Sequence, residues 1–331
     1  MIDYINLTLS TDCDYNCWFC YLTKEARQSK STFSDWNGLR EFLIRIDLAN
    51  VVNINLVTGD LTSKHPDLIR KAVKEIRKIE RVKSVRLTFS YITNGQNYSL
   101  TKSLIEDDII DGLHTGLSYD GDSHPSSGHN SIEAVKTIGG MLGSVNTVLT
   151  METMNNIDSI LQLMLDSNVT SWSYYLLLDY DTYSDPEFLE SFRSKFLPAV
   201  LKAYNDGLKV YNIEEFEKSS KMATKSLWCK DNNFIINVDG SISPCGIEMT
   251  FCRFNPNPLP SPLNLSCTNE ELVNYLNNHI KACHKQNVCD YTHCRANQCI
   301  ECSGIAKVRK NKFQACKLRL IEYDFYFNHL R

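Results

Sequence analysis

Strand-like and helix-like segments alternate six times in about the first 180 of the 331 residues, and this alternation constrains the fold most. In the first segment, Ile5, Leu7 and Leu9 alternate with polar residues, a period of two that is typical of a strand. Strands are predicted at residues 5–9, 53–57, 85–91, 113–117, 145–150 and 171–177, and helices at 34–46, 66–79, 100–106, 132–142 and 157–165. This order predicts an α/β fold with parallel strands and crossover helices. Eight units would close a full barrel, so six predict a partial (β/α)6 TIM-like barrel.

The cysteines are distributed unevenly. Of the 13 cysteines, three lie in the first 20 residues, none lies between Cys20 and Cys229, and ten lie from Cys229 to Cys316. The first residues lack the basic segment and the continuous apolar core of a signal peptide. In a cytoplasmic chain, cysteines bind metal more often than they form disulfides. The sequence therefore predicts a cytoplasmic, metal-binding protein.

Charge and hydropathy narrow the range of partners. The formal net charge is −4, so no broad basic surface is predicted and binding to nucleic acid is not indicated, although a local basic groove stays open. No apolar run approaches the roughly 20 residues that a membrane span needs. No membrane partner is therefore expected.

Three cysteines, Cys13, Cys17 and Cys20, follow the first predicted strand. They lie at the carboxyl end of the predicted sheet, where such folds place their chemistry. Three thiolates at this spacing can hold three irons of a [4Fe–4S] cluster and leave the fourth iron open to a ligand. A zinc site or buried thiols are the alternatives on these residues alone.

Loops rich in glycine and polar residues follow the next three predicted strands. They contain Thr58-Gly59-Asp60, then Thr93-Asn94-Gly95, then Ser118-Tyr119-Asp120-Gly121. Each loop on its own is explained by turn chemistry, because Asn-Gly and Asp-Gly pairs favour turns. Their order after strands two, three and four is the argument for a shared function.

The cysteine run and these loops together resemble the radical S-adenosylmethionine (SAM) family. The resemblance implies that the open iron chelates SAM and that one electron cleaves SAM to a 5′-deoxyadenosyl radical. Asp60 would accept the SAM ammonium group, Ser118 would contact the carboxylate, and Asp120 would face the ribose. The residues that the resemblance places at the cofactor are Phe19, Thr58, Gly59, Asp60, Asn94, Ser118 and Asp120. The chain departs from the family pattern in two places. Thr58 stands where the family has glycine, and Asp60 stands where it has glutamate. The family's arginine after the fourth strand has no clear equivalent at residues 124–131.

The C-terminal cysteines resemble a SPASM domain, an extension that binds auxiliary iron–sulfur clusters. Residues 234–242 have a hairpin pattern with an Asp-Gly turn. By resemblance, Cys229, Cys245 and Cys302 would bind a first auxiliary [4Fe–4S] cluster, completed by Cys252. Cys289, Cys294, Cys299 and Cys316 would bind a second, while Cys267 and Cys283 stay unassigned. One or two zinc sites are the alternative. In sulfatase-maturing members an aspartate stands where this chain has Gly246, which disfavours formylglycine formation.

The sequence thus predicts a radical SAM enzyme that abstracts hydrogen from a substrate. The resemblance favours a peptide or protein side chain; a nucleotide, DNA base or small metabolite is the alternative within the same chemistry. A non-enzymatic zinc- or cluster-binding module is the alternative of another class. The predicted modules are a partial barrel at 1–180, a helical linker at 181–228 and a loop-rich cluster domain at 229–331. A reductase such as flavodoxin or ferredoxin is the expected electron donor. No general acid or base is predicted. No hydrogen-atom acceptor stands out either, because the tyrosines near predicted strand ends, Tyr119, Tyr174 and Tyr175, are also explained by packing.

Overall fold

The computed structural model describes residues 2–13, 15, 17, 20, 22–59, 61–121, 128–176, 185–221, 232–244, 263–286 and 312–330. These residues group into two compact units, one formed by Met1–Gly116 with Cys229–Gln286 and the other by Leu117–Trp228 with Asn287–Arg331. Each unit thus combines an early and a late part of the chain. The module limits at residues 180 and 228 stay a prediction.

The described part of the chain contains ten strands. They are β1 (Ile2–Ser10), β2 (Asn53–Thr58), β3 (Thr88–Ser90), β4 (Ile92–Thr93), β5 (Gly116–Ser118), β6 (Ser144–Leu149), β7 (Trp172–Leu176), β8 (Asn232–Ile236), β9 (Ser241–Ser243) and β10 (Leu263–Asn264). In the first unit the sheet order is β10-β9-β8-β1-β2-β3. Strands β8, β1, β2 and β3 run parallel, and β9 and β10 add antiparallel pairs. In the second unit β5, β6 and β7 are neighbours in that order, with β6 and β7 parallel.

Helices connect and cover these strands. They are α1 (Lys24–Gln28), α2 (Trp36–Arg45), α3 (Leu61–Lys64), α4 (Pro66–Lys83), α5 (Tyr98–Glu106), α6 (Gly128–Ile138), α7 (Met151–Asn155), α8 (Ile157–Asp166), α9 (Pro186–Ser191), α10 (Leu197–Asn205), α11 (Tyr211–Lys221), α12 (Asn269–Gln286) and α13 (Lys312–His329). Among the described helices, none carries an apolar stretch long enough to cross a membrane.

The core of the first unit lies on one face of its sheet. Because side chains alternate along a strand, Ile5, Leu7 and Leu9 of β1 all point to this face, where they are buried. The apolar stripes of α2 and α4 belong to the same core, and so do side chains from β8, β9 and α12. Side chains from the described parts of residues 234–244 and 263–276 therefore complete the core that begins at β1.

Most predicted elements are present, and their ends differ for local reasons. Helix α2, predicted at 34–46, begins at Trp36 and is capped by Asp35, whose side chain accepts the Gly38 N–H. The strand predicted at 85–91 is divided into β3 and β4. The next strand, predicted at 113–117, begins only at Gly116, because a 3₁₀ turn at Gly112–His114 precedes it. The helix predicted at 132–142 begins at Gly128 and ends at Ile138, followed by a 3₁₀ turn at 139–141. The predicted hairpin is confirmed as β8 and β9, with Gly240 at φ 81° in its turn.

In the second unit, helix α13 is attached to β7 by a buried polar cluster. The Tyr174 hydroxyl donates to a carboxylate oxygen of Glu322 and lies 3.1 Å from the Tyr326 hydroxyl. All three side chains are buried. Burial raises the pKa of Tyr174 well above its usual range, and Glu322 beside it acts in the same direction. The cluster fixes the position of the helix that carries Cys316.

Candidate functional site

The cysteine run lies in the loop that leaves the carboxyl end of β1. Cys13, Cys17 and Cys20 are half-buried. The Cys20 N–H donates to the Cys17 carbonyl at 3.1 Å, which closes a turn between these two cysteines. Phe19, predicted at the cofactor, lies outside the described residues. The loop therefore presents three sulfur donors within eight residues.

Helix α1 supports this loop from its other end. The Cys13 N–H donates to the Arg27 carbonyl at 3.0 Å, and the Arg27 guanidinium donates to the Tyr15 carbonyl at 2.8 Å. The Thr11 hydroxyl donates to the Ala26 carbonyl at 2.7 Å. Because these bonds reach the chain on both sides of Cys13, the loop is held between β1 and α1. Arg27 was not predicted as a site residue, since its role depends on a backbone contact that no motif records.

Gly59 packs against the residues directly before Cys13. Its N–H donates to the Ser10 carbonyl at 3.0 Å. A Cβ atom on Gly59 would lie 2.5 Å from the Asp12 carbonyl oxygen and 2.6 Å from that of Thr11. Since real Cβ atoms do not approach backbone oxygens so closely, this position needs glycine. The structure thus joins the loop after β2 to the cysteine loop.

The neighbours of Gly59 are described only in part. Thr58 ends β2 and pairs with Ser10 through its backbone. Asp60 lies outside the described residues. Their contacts with SAM stay a prediction.

A histidine and an aspartate make a second connection between the same two loops. His65 Nε2 lies 3.3 Å from Asp12 Oδ2, and the Asp12 side chain is largely buried next to Cys13. His65 is the residue before α4, so this contact also fixes where that helix begins. The sequence did not single out this pair, although the position of Asp12 directly before a cysteine was an available signal.

The loop after β4 is organised by its own polar side chains. Asn94 is half-buried, and its Oδ1 accepts the Gln96 N–H at 3.0 Å. The Thr93 hydroxyl accepts the Gly95 N–H at 3.1 Å, and Gly95 has φ 80°. The Asn97 amide donates to the Thr62 carbonyl at 3.0 Å, which connects this loop to the one after β2. The turn chemistry is therefore present, and the contact of Asn94 with SAM stays a prediction.

The second unit holds the two remaining predicted residues. Ser118 ends β5 and is half-buried. Asp120 is buried, and one of its carboxylate oxygens accepts the Val148 N–H of β6. Burial raises the pKa of Asp120 to about 7, while the hydrogen bond from Val148 opposes this rise. A carboxyl with this pKa gains or loses its proton near neutral pH.

The tyrosines near the strand ends occupy different environments. Tyr119 and Tyr174 are buried, and Tyr174 belongs to the cluster with Glu322. Tyr175 is 45% exposed. The structure assigns none of them to the chemistry.

Seven of the ten C-terminal cysteines lie outside the described residues. They are Cys229, Cys245, Cys252, Cys289, Cys294, Cys299 and Cys302. Cys316 lies in α13 and Cys283 in α12. Cys267, which the sequence left unassigned, is a buried thiol of the first core. Burial raises the pKa of the Cys267 thiol, as does Glu271 nearby. The ligand sets of the auxiliary clusters stay a prediction.

The donor set at the N-terminal loop fits an iron–sulfur cluster. Among the residues described, no three His, Cys, Asp or Glu side chains form a group that would hold a single metal ion. In a [4Fe–4S] cube each of three thiolates binds a different iron, so the three sulfurs lie farther apart than the ligands of one ion. Cys13, Cys17 and Cys20 provide three cysteine sulfurs on one loop that is held between β1 and α1.

Solved structures share this fold. No protein-family model matches the sequence, and no curated protein matches it. Native anSMEcpe with bound AdoMet and Cp18Cys peptide has a TM-score of 0.75 at 16% identity, covering 100% of this chain and 98% of that chain. SuiB of Streptococcus suis bound to S-adenosylmethionine has a TM-score of 0.60 at 14% identity, with coverages of 93% and 70%. SuiB bound to its precursor peptide SuiA has a TM-score of 0.54 at 14% identity, with coverages of 78% and 64%.

At these identities the likeness shows the fold. It confirms the predicted class, an α/β fold with parallel strands that is the partial barrel of radical SAM enzymes. In this fold the first strand leads directly into the loop with Cys13, Cys17 and Cys20.

Proposed function

We propose that this chain, which has the fold of radical SAM enzymes, is itself such an enzyme. One observation carries the proposal: Cys13, Cys17 and Cys20 lie on the loop after β1, against which Gly59 is packed. The fold supports it, because solved structures with this fold hold AdoMet.

Each loop residue has a proposed task. Cys13, Cys17 and Cys20 would hold a [4Fe–4S] cluster with one open iron, and such a cluster would supply the electron for SAM cleavage. The backbone at Gly59 and the carboxylate of Asp60 bind the ammonium group, since a charged acceptor makes a strong hydrogen bond with it. Ser118 binds the carboxylate of SAM.

The remaining cofactor contacts are also proposals. Asp120 lies toward the ribose, where its protonated form would donate a hydrogen bond to a hydroxyl. Its raised pKa favours that form up to about pH 7. Phe19, Thr58 and Asn94 complete the cofactor contacts.

We propose a peptide or protein side chain as the substrate. The support is that anSMEcpe was solved with the Cp18Cys peptide and SuiB with its precursor peptide SuiA. Hydrogen abstraction by the 5′-deoxyadenosyl radical would start the reaction on that side chain.

Two auxiliary [4Fe–4S] clusters are part of the same proposal. Their proposed ligands are Cys229, Cys245, Cys252 and Cys302 for the first cluster and Cys289, Cys294, Cys299 and Cys316 for the second. A cytoplasmic location suits these thiolate-bound clusters and a flavodoxin or ferredoxin as reductase, because that compartment keeps thiols reduced.

The test is SAM cleavage by the anaerobically purified protein. With dithionite as reductant, the wild type should release 5′-deoxyadenosine and should contain about twelve irons per chain. Cys17→Ala should abolish cleavage and leave about eight irons. Cys267→Ala is the matched control, because Cys267 is a core thiol, and it should cleave SAM.

Two results would contradict the proposed function. A colourless protein with bound zinc would support the non-enzymatic module instead. SAM cleavage by Cys17→Ala would contradict the assigned cluster loop.

A further inference from the structure

The first sheet has a second face, opposite the hydrophobic core, and this face is largely polar, with the apolar Val57 and Ile235 among its polar residues. From Ile5 onward, Asn6 and Thr8 alternate with the core residues of β1, so they point to this face. Asn6 pairs in register with Asn55 of β2, and the Asn55 amide donates to the Asn6 side chain at 2.9 Å. The Asn53 amide likewise donates to the Ser90 hydroxyl of β3 at 2.7 Å. Side-chain hydrogen bonds thus run across the strands of this face.

Asn237 extends the polar face to β8, which it directly follows. Its amide nitrogen donates to the Ser241 carbonyl, the Ser241 hydroxyl and the Ser243 hydroxyl at 2.9–3.2 Å. The carbonyl can only accept, so these contacts fix which side of the amide is nitrogen. The Asn237 Oδ1 atom must therefore point away from β9. It is fully buried, and within the described residues it has no hydrogen-bond partner.

Thr8 presents a second such atom on the neighbouring strand. Leu7 pairs with Ile236, so the parallel register places Thr8 beside Asn237. Thr8 is 2% exposed, and its hydroxyl has no hydrogen-bond partner in the described part of the chain. Strand β1 lies between β2 and β8, so its backbone N–H and C=O groups already form hydrogen bonds with both neighbouring strands. Thr8, five residues before Cys13, and Asn237 thus place two buried oxygens at adjacent positions, and neither has a partner among the described residues.

We propose that a hydrogen-bond donor of the substrate, the N–H of an uncharged peptide amide, binds between Thr8 Oγ1 and Asn237 Oδ1. Buried polar atoms without partners are unfavourable, and a native protein retains them where a ligand or a water completes them. An amide oxygen accepts and never donates, so Asn237 requires a donor from the ligand.

The chemistry of the face selects an uncharged group. The described positions of β1, β2, β3, β8 and β9 on this face carry no Asp, Glu, Lys, Arg or His. A carboxylate or phosphate would meet no counter-charge there, and an ammonium group would meet no acid. The inference rests on the proposed peptide substrate and adds the residues that recognise its backbone.

The test measures the binding of two small ligands to the wild type and three variants, each iron-loaded and with SAM bound. The ligands are N-acetyl-alanyl-alaninamide and its ester analogue, in which the N–H between the two alanines is replaced by oxygen. The variants are Thr8→Val, which removes the hydroxyl at nearly constant volume, Thr8→Ser, which keeps the hydroxyl, and Thr88→Val. Thr88 lies on the same face at the far end of β3, and its hydroxyl is already bonded to Val52 and Asn53. Dissociation constants are measured by saturation-transfer NMR.

The wild type should bind the amide about 3- to 10-fold more tightly than the ester, as expected for one neutral hydrogen bond. Thr8→Val should lose that preference, while Thr8→Ser and Thr88→Val should keep it. Thr8→Val should also raise the melting temperature of the ligand-free enzyme, because it removes a buried hydroxyl that has no partner.

Three results would overturn the inference: no binding of the amide by the wild type, equal binding of amide and ester, or an amide preference that survives in Thr8→Val. A crystal structure with one water bridging Thr8 and Asn237, unchanged by the dipeptide, would also overturn it. Failure of the proposed function is distinguished by its own readout, since it would appear as no 5′-deoxyadenosine from the wild type whatever the dipeptide does.

Discussion

At the scale of single residues, Gly59 is required by contact rather than by its backbone angles. It is not among the glycines with positive φ, which are Gly95, Gly121, Gly207 and Gly240. What excludes a side chain is the backbone of Thr11 and Asp12, the two residues that lead into Cys13. Any atom added at Gly59 must therefore push the cysteine loop.

Replacement of Gly59 by alanine tests this contact. Gly59→Ala should lower the free energy of unfolding by about 1–3 kcal/mol, as overpacking does. It should also reduce 5′-deoxyadenosine formation, because the cysteine loop must move. Gly140→Ala is the control, since its nearest contact would be 3.2 Å and a small shift would relieve it. Normal SAM cleavage in Gly59→Ala would show that the loop tolerates displacement.

The buried carboxyl of Asp120 makes the free energy of unfolding depend on pH. Burial raises its pKa from 3.8 to about 7 in the folded chain. The folded state thus holds the proton more tightly than the unfolded state, so this stabilisation is present at low pH and is lost as the pH rises toward 7. Urea unfolding of the SAM-free protein should show a loss of about 2 kcal/mol between pH 5.5 and 8.

Replacement of Asp120 by asparagine, whose amide does not titrate, is the control for this pH-dependent loss of stability. Asp120→Asn should remove this part of the pH dependence, whereas Asp158→Asn, at an exposed position of α8, should leave it unchanged. A pH profile that is the same for wild type and Asp120→Asn would mean that Asp120 stays ionised in the folded chain.

At the residue scale, the sequence marks Cys13, Cys17, Cys20 and Gly59 by residue type and spacing. The structure adds the packing of Gly59 against the loop that leads into Cys13, and the cofactor roles of these residues stay a prediction. Asp12 and His65 were missed as a pair, because 53 positions separate them and only the fold brings them to 3.3 Å. The role of Gly59 as a packing residue was also hidden, since it depends on the path of another loop.

At the scale of elements, helix α13 depends on the polar cluster that attaches it to β7. Tyr174→Phe would leave the buried Glu322 carboxylate without the hydroxyl that donates to it. The expected cost is about 1–3 kcal/mol, the penalty for a buried polar group that loses its partner. Hydrogen exchange should become faster along α13.

The neighbouring tyrosine serves as a control for that change. Tyr323 packs through its ring against Phe216 and Phe327, so Tyr323→Phe should leave exchange in α13 close to the wild type. Unchanged exchange in Tyr174→Phe would show that apolar packing alone holds the helix.

The order of elements was predictable because periodicity is a local property. Strands β1, β2 and β6 and helices α4 and α8 begin within a few residues of the predicted positions. The ends were less predictable. In the predicted helical linker at 181–228, a π-helical turn at Phe192–Phe196 separates α9 from α10, and the rings of Phe192 and Phe196 stack. Such a turn follows from side-chain packing that periodicity does not record.

At the scale of the whole molecule, the first unit needs a late part of the chain. The aromatic rings of Phe42 and Phe234 meet edge to face at 5.9 Å, and the Arg45 guanidinium donates to the Cys267 carbonyl at 2.7 Å. A fragment of residues 1–228 lacks β8, β9 and α12 and so exposes this core.

That fragment should be aggregated or should unfold without a cooperative transition. Size-exclusion chromatography and thermal circular dichroism, with the full chain as the control, measure this. A soluble fragment 1–228 that melts cooperatively would contradict the role of β8 in the first core. The pairing of β8 with β1 was not predictable from local patterns, because more than 200 residues separate the two strands.

The central position of β1 also sets a time order for biosynthesis. One of its two partners, β8, ends at Ile236, more than 200 residues after β1 ends at Ser10. At about 5–20 residues per second, the ribosome needs roughly 11–45 s to go from the end of β1 to the end of β8. The strand that supports the cysteine loop is thus incompletely paired during that interval, and cluster insertion into a finished site must follow synthesis of β8.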